Sequence, residues 1–224
     1  MSLYFILLLS SFSVPILLSF DKRLQFYKKW GVVLPALLIV ALVYIVFDII
    51  LTKNGVWGFN AKYLTGIYIF NLPLEECLFF LVIPYASLFL HYSIAEYFPN
   101  KKLGLKTNKA LILVIIGFSI VMLLLNLEKQ YTSYILSKLV VALLLIFFFK
   151  PEITQSFFVS FLVILVPFVI VNGILTGSVI QEEVVWYNNL ENLGVRFFTI
   201  PVEDFAYALS MLPVSYTHLR AHET

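Results

Sequence analysis

Long apolar runs alternate with short polar breaks along this chain, and that rhythm sets the architecture. A helix crossing a bilayer needs about 20 mostly apolar residues, because the hydrocarbon layer is roughly 30 Å thick and a helix rises about 1.5 Å per residue. Stretches at 2–20, 31–51, 72–93, 108–126, 132–149, 155–176 and 198–214 approach that length. Charged or proline-bearing breaks separate them, among them Asp21-Lys22-Arg23, Pro99-Asn100-Lys101-Lys102 and Lys150-Pro151-Glu152. The pattern predicts an all-α fold, a polytopic membrane helix bundle of about seven transmembrane helices. The first stretch has no basic leader and no small-residue cleavage site after it, so it reads as a retained helix rather than a signal peptide.

Composition supports the bilayer as solvent. Of 224 residues, 61% are hydrophobic and 12% charged, with a mean hydropathy of +0.96. Soluble domains carry roughly 45–50% apolar and about 25% charged residues, and a water-soluble fold of this length could not hide so much apolar surface. The formal charge of +2 offers no basic face for nucleic acid. A lone Cys77 excludes an internal disulfide and any CxxC motif, and the glycine fingerprints of dinucleotide and nucleotide sites are absent, so neither cofactor nor metal is expected. Lys22, Arg23, Lys28, Lys29, Lys101, Lys102, Lys106, Lys109 and Lys150 fall in the first, third and fifth breaks, against Lys53, Lys62, Lys129 and Arg196 in the others. This bias puts the N-terminus outside a multi-pass chain in the cell membrane.

One segment occurs twice. Gly66-Ile67-Tyr68-Ile69-Phe70-Asn71-Leu72-Pro73-Leu74-Glu75-Glu76 aligns without gaps on Gly194-Val195-Arg196-Phe197-Phe198-Thr199-Ile200-Pro201-Val202-Glu203-Asp204. Upstream, Asp48-Ile49-Ile50-Leu51-Thr52 resembles Asn172-Gly173-Ile174-Leu175-Thr176, and each copy holds a tryptophan between, Trp57 and Trp186. Helices three and seven run the same way through the membrane, so the repeat is parallel and brings like motifs to one depth. Residues 1–107 are expected to form the first repeat and 108–214 the second.

Pro73 and Pro201 mark the helix starts, since a proline at the first helical position forfeits no intrahelical bond. The acids after them fall at the second and third positions, where carboxylates commonly complement the helix dipole. The duplication favours chemistry over capping, because an ionisable group at the edge of a spanning helix is costly and marks a site. Desolvation and like-charge repulsion outweigh the dipole in a dry site, leaving one carboxyl protonated to serve as a proton donor and another ionised to accept. Phe79 shares a helix face with Glu75, and Tyr207 with Glu203, with Phe80 and Phe205 beside them; ring faces stabilise a cation.

The paired Pro-x-Glu-(Glu/Asp) motifs in such a chain resemble the heterodimeric and fused lycopene cyclases of bacteria, archaea and fungi, in which two domains of about three helices supply one motif each. The likeness is clearest over 48–93 and 172–207. It implies a lipophilic carotenoid substrate, no redox change, and cyclisation of ψ-end groups to β-rings: a proton adds to the terminal double bond, the carbocation is captured by a nearby double bond, and a proton is lost. Glu75, Glu76, Glu203 and Asp204 match that family's acids by position. The resemblance also admits association with other carotenoid enzymes in the bilayer. Exchange of Glu75 or Glu203 for Gln is expected to abolish product.

Other polar positions carry lesser expectations. Asp48 and its counterpart Asn172 support the site by hydrogen bonding. Glu182 and Glu183 are solvated, Lys138 snorkels to the interface, and His91 is interfacial. His218 and His222 have the spacing of a helical metal pair, but the tail 215–224 breaks the apolar pattern abruptly and resembles a translated sequencing-adapter artefact. A proton-coupled transporter using the same acids is the alternative function. A retinal-type photoreceptor is disfavoured because no lysine follows Lys150.

Overall fold

A computed structural model describes residues 2–221, with side chains described through residue 211. Helices form where the apolar runs predict them: α1 (Leu3–Leu18), α2 (Trp30–Lys53), α3 (Leu74–Tyr97), α4 (Leu105–Leu124), α5 (Gln130–Phe149), α6 (Ile153–Leu175) and α7 (Val202–Ala221). Among the described residues, five segments are long and apolar enough to cross a bilayer, namely Phe26–Lys53 and those containing α3, α4, α5 and α6. Helix α1 is apolar but shorter, and α7 continues past the expected end at 214. Prolines 15, 35, 84 and 167 sit inside helices, as bundle neighbours allow in lipid. His218, discounted above as half of a metal pair, falls beyond the described side chains, and His222 lies outside the described residues altogether.

Helices α3 and α7 are central. Helix α3 packs on α1, α2 and α6, α7 packs on α5, α2 and α6, and the two touch each other. Helix α4 leans chiefly on α5, outside this arrangement. Because successive helices alternate in direction, α1, α3, α5 and α7 all begin at one end of the bundle.

The two long connections at that end depart from the all-helical expectation. They contain six very short strands: β1 (Trp57–Phe59), β2 (Tyr68–Ile69), β3 (Leu72–Pro73), β4 (Val185–Tyr187), β5 (Arg196–Phe197) and β6 (Ile200–Pro201). Strands β2 and β3 form a hairpin, as do β5 and β6, each turning through a phenylalanine in the left-handed region, Phe70 at φ 57° and Phe198 at φ 54°. Strand β1 pairs antiparallel with β4, so that Trp57 faces Tyr187 and Gly58 faces Trp186 across the two connections. This pairing covers the end of the bundle. A side chain at Gly58 would overlap the Trp186 indole. Gly58→Val is therefore expected to lower stability by about 1–3 kcal/mol, measured as an earlier thermal loss of the monodisperse detergent-solubilised protein.

Candidate functional site

The repeated motifs lie where the hairpins feed the central helices. Pro73 is the cap of α3 rather than its first residue, held extended at φ −63° and ψ 148°, which places Glu75 and Glu76 at the second and third helical positions. Pro201 closes β6 in the same way, immediately before α7 carries Glu203 and Asp204 in its first turn. All four acids are buried, with 0%, 9%, 2% and 6% of their surface exposed in chain order. They differ in where they turn.

Glu75 and Glu203 face the connections. Oε1 of Glu75 accepts from the Thr65 N–H at 2.6 Å, ten residues back, and from Ser2 Oγ at 2.8 Å. Oε1 of Glu203 accepts from the Leu193 N–H at 2.7 Å, again ten residues back, and from Thr132 Oγ1 at 2.7 Å. Each carboxyl thereby closes its hairpin loop onto its helix and ties in the start of a flanking helix, α1 or α5. Neither borders the central cavity.

Glu76 and Asp204 do. A cavity of about 360 Å³ lies between the central helices, within the usual range for small-molecule sites, and both acids form part of its wall. Tyr4 of α1 donates to Glu76 Oε2 at 2.7 Å. Tyr131 of α5 donates to Asp204 Oδ1, and Tyr187 of β4 donates to Oδ2 at 3.0 Å. Burial and the facing Asp204 carboxyl push the Tyr187 phenol well above its usual range, so it remains a donor at neutral pH. The remaining wall is mostly apolar and aromatic, with Phe79, Phe80, Phe168 and Tyr207 prominent. A carboxyl beside a mainly apolar chamber can exchange a proton with a hydrocarbon without water competing for it.

Of the supporting positions, Asp48, Asn172, Phe79 and Tyr207 border the cavity, and Pro73 and Pro201 aim the acids without reaching it. Phe80 borders it too, whereas Phe205 packs against Phe168 and Phe197. Asn71 and Thr199, at matching places in the two turns, reach back to the Ile49 and Gly173 carbonyls beside Asp48 and Asn172, at 2.9 and 3.3 Å. Glu182 is exposed and pairs with Lys62 at 3.5 Å, and Glu183 is exposed.

Two expectations fail. Lys138 does not snorkel: its Nζ is buried without a hydrogen-bond acceptor, among the rings of Tyr207, Tyr44 and Tyr134 at 3.6, 4.0 and 4.8 Å. The face of α5 that carries it packs on α7, so the ammonium is directed inward. His91 is not interfacial either, being 1% exposed and 2.9 Å from Ser160 Oγ, because α3 and α6 pack together there. The phenols of Tyr4, Tyr131 and Tyr187 were missed by sequence reasoning. The available signal was parity: helices one and five start at the same end as the motifs, each with a tyrosine in or near its first turn.

Among the described residues, no group of three or more His, Cys, Asp or Glu side chains could hold a metal ion. A family model described as lycopene cyclase matches residues 1–98 and 128–219. No curated protein and no solved structure matches the chain.

Proposed function

This chain belongs to the lycopene cyclase family, an enzyme of carotenoid cyclisation embedded in the bilayer as a multi-pass protein, and from that premise we propose that Glu76 and Asp204 carry out the proton chemistry. Their shared place on one apolar cavity is the observation that carries this reading. Glu76 gives a proton to the terminal double bond of a ψ-end group. The resulting tertiary carbocation is attacked by a nearby double bond, which forms the ring bond, and Asp204 takes the proton lost from the ring. One C–H bond forms and one breaks, so the product is an isomer and no oxidant is needed.

The hydrogen bonds support this division. Asp204 receives two phenol donors and Glu76 receives one, and donors to a carboxylate favour its ionised form. With two donors against one, Asp204 is suited to begin as the base and Glu76 as the acid. Family membership favours cyclisation over the transporter alternative.

Glu75 and Glu203 act as positioning residues. Glutamine keeps an oxygen that can accept the Thr65 or Leu193 N–H, so Glu75→Gln and Glu203→Gln are expected to retain product, contrary to the expectation from sequence. Glu75→Ala and Glu203→Ala leave a buried N–H unpaired and are expected to lower stability by about 1–3 kcal/mol each, measured by thermal unfolding in detergent.

The parallels between the halves support an internal repeat, but with boundaries other than 107/108. Helices α1–α3 correspond to α5–α7, with α4 a connector outside both. The matched segments 1–98 and 128–219, which pass over α4, support that division. In this arrangement α1 and α7 join the five long helices as spans, and the acids lie toward the outer face, opposite the lysine-rich breaks. Expression in a lycopene-accumulating host, followed by pigment chromatography, tests the function. Cyclised carotenoid is the expected result, and unchanged lycopene with protein in the membrane contradicts it.

A further inference from the structure

The repeat supplies a comparison between its halves that exposes an asymmetry. Ser11 follows Tyr4 by seven positions on α1, and Lys138 follows Tyr131 by seven on α5. Phe168 precedes Asn172 by four on α6, and Tyr44 precedes Asp48 by four on α2. Phe79 follows Glu76 by three on α3, and Tyr207 follows Asp204 by three on α7. Two equivalent half-sites result, one built from α1, α3 and α6 and the other from α5, α7 and α2.

They are occupied differently. Ser11, Phe79, Phe168 and Asn172 all border the open cavity. In the other half Asp48, Asp204 and Tyr207 also reach the cavity, but the Lys138 side chain fills the place that corresponds to Ser11, 3.6 Å from the centre of the Tyr207 ring and 4.0 Å from that of Tyr44. Asp48 lies buried on this side of the cavity, at the place where the open half has Asn172. Tyr134 of α5 lies against Phe47 of α2, with ring centres 5.0 Å apart.

The open half also reaches the surface. Ser10 and Val14 of α1 and Pro167 of α6 border the cavity while being exposed, so the chamber opens sideways between α1 and α6 at the level of the apolar helices. From Glu76 to Leu90 the wall contributed by α3 extends roughly 20 Å along that helix.

We propose that the enzyme is one-sided: a carotenoid end group enters from the lipid between α1 and α6 and reacts against Phe79, Phe168 and Glu76, while Lys138 plugs the equivalent place between α5 and α2. The proposal rests on the cyclase reading and on the repeat. Its occupant is an acyclic, hydrocarbon polyene end, because the portal is apolar, faces lipid and leads to the acids. The ring-lined place in the open half, beside Phe79 and Phe168, is where the substrate's carbocation develops. Each binding event closes one ring.

The test is full-chain protein in a lycopene-accumulating host, with pigment chromatography for product and fluorescence-detected gel filtration for folding. Ser11→Trp places an indole in the portal and is expected to lower product on the order of 100-fold or more in folded protein. Should that variant not fold, Ser11→Leu gives a smaller obstruction and a graded loss. Tyr134→Trp alters a residue that does not border the cavity and is expected to leave product unchanged within about threefold. Wild-type product from folded Ser11→Trp, or loss of product from folded Tyr134→Trp, overturns the one-sided site. Absence of cyclised product from the wild type would instead refute the cyclase reading itself, so the two failures are distinct.

Discussion

Glu76→Gln is expected to leave lycopene uncyclised while the protein remains folded in the membrane. The substitution preserves size and the ability to accept from Tyr4, whose hydroxyl lies 2.7 Å from Oε2, so packing is disturbed little. What it removes is the transferable proton. A positioned general acid contributes about 10²–10⁴-fold, and the loss should fall within that range. Pigment chromatography from equal amounts of folded protein checks this. Product within tenfold of wild type would assign the proton to another group.

Asp204→Asn is expected to have a comparable effect for a different reason. Tyr131 and Tyr187 both donate to this carboxylate, and an amide leaves one phenol facing an N–H instead of an acceptor. The neutral side chain can neither take the proton released on ring closure nor stabilise the preceding cation. A loss of about 10²–10⁴-fold is expected. Some destabilisation should accompany it, on the order of 1–3 kcal/mol, because a buried donor loses its partner. A stable Asp204→Asn protein with normal product would exclude Asp204 as the base.

How far the sequence reached follows from the range of each signal. Helix positions were legible because a membrane span is a local property of about 20 consecutive residues. The motif was legible because Pro-x-Glu-(Glu/Asp) stands out in an apolar chain and occurs twice. The hairpins were not, since strands of two residues such as Tyr68–Ile69 show no alternation to detect. Pairing of Trp57 with Tyr187 joins distant segments and leaves no local trace.

The four acids looked alike in sequence, yet adjacent residues on a helix point about 100° apart. That rotation sends Glu75 to the loop and Glu76 to the cavity, and only coordinates tell which is which. Lys138 was misread for a related reason: snorkelling depends on the direction a helix face takes, and α5 turns this face toward α7. In the division proposed above α4 stands outside both repeats, and since it is apolar in the same general manner as its neighbours, its composition gives no sign of where a boundary falls.

A single-turnover reaction in heavy water tests the central claim most directly. Protein in excess, equilibrated in D₂O before lycopene is added, carries deuterium on any exchangeable carboxyl that starts the reaction. Mass spectrometry of the product is then expected to find one deuterium for each ring formed. Rings formed without deuterium would contradict cyclisation begun by a carboxyl of the protein.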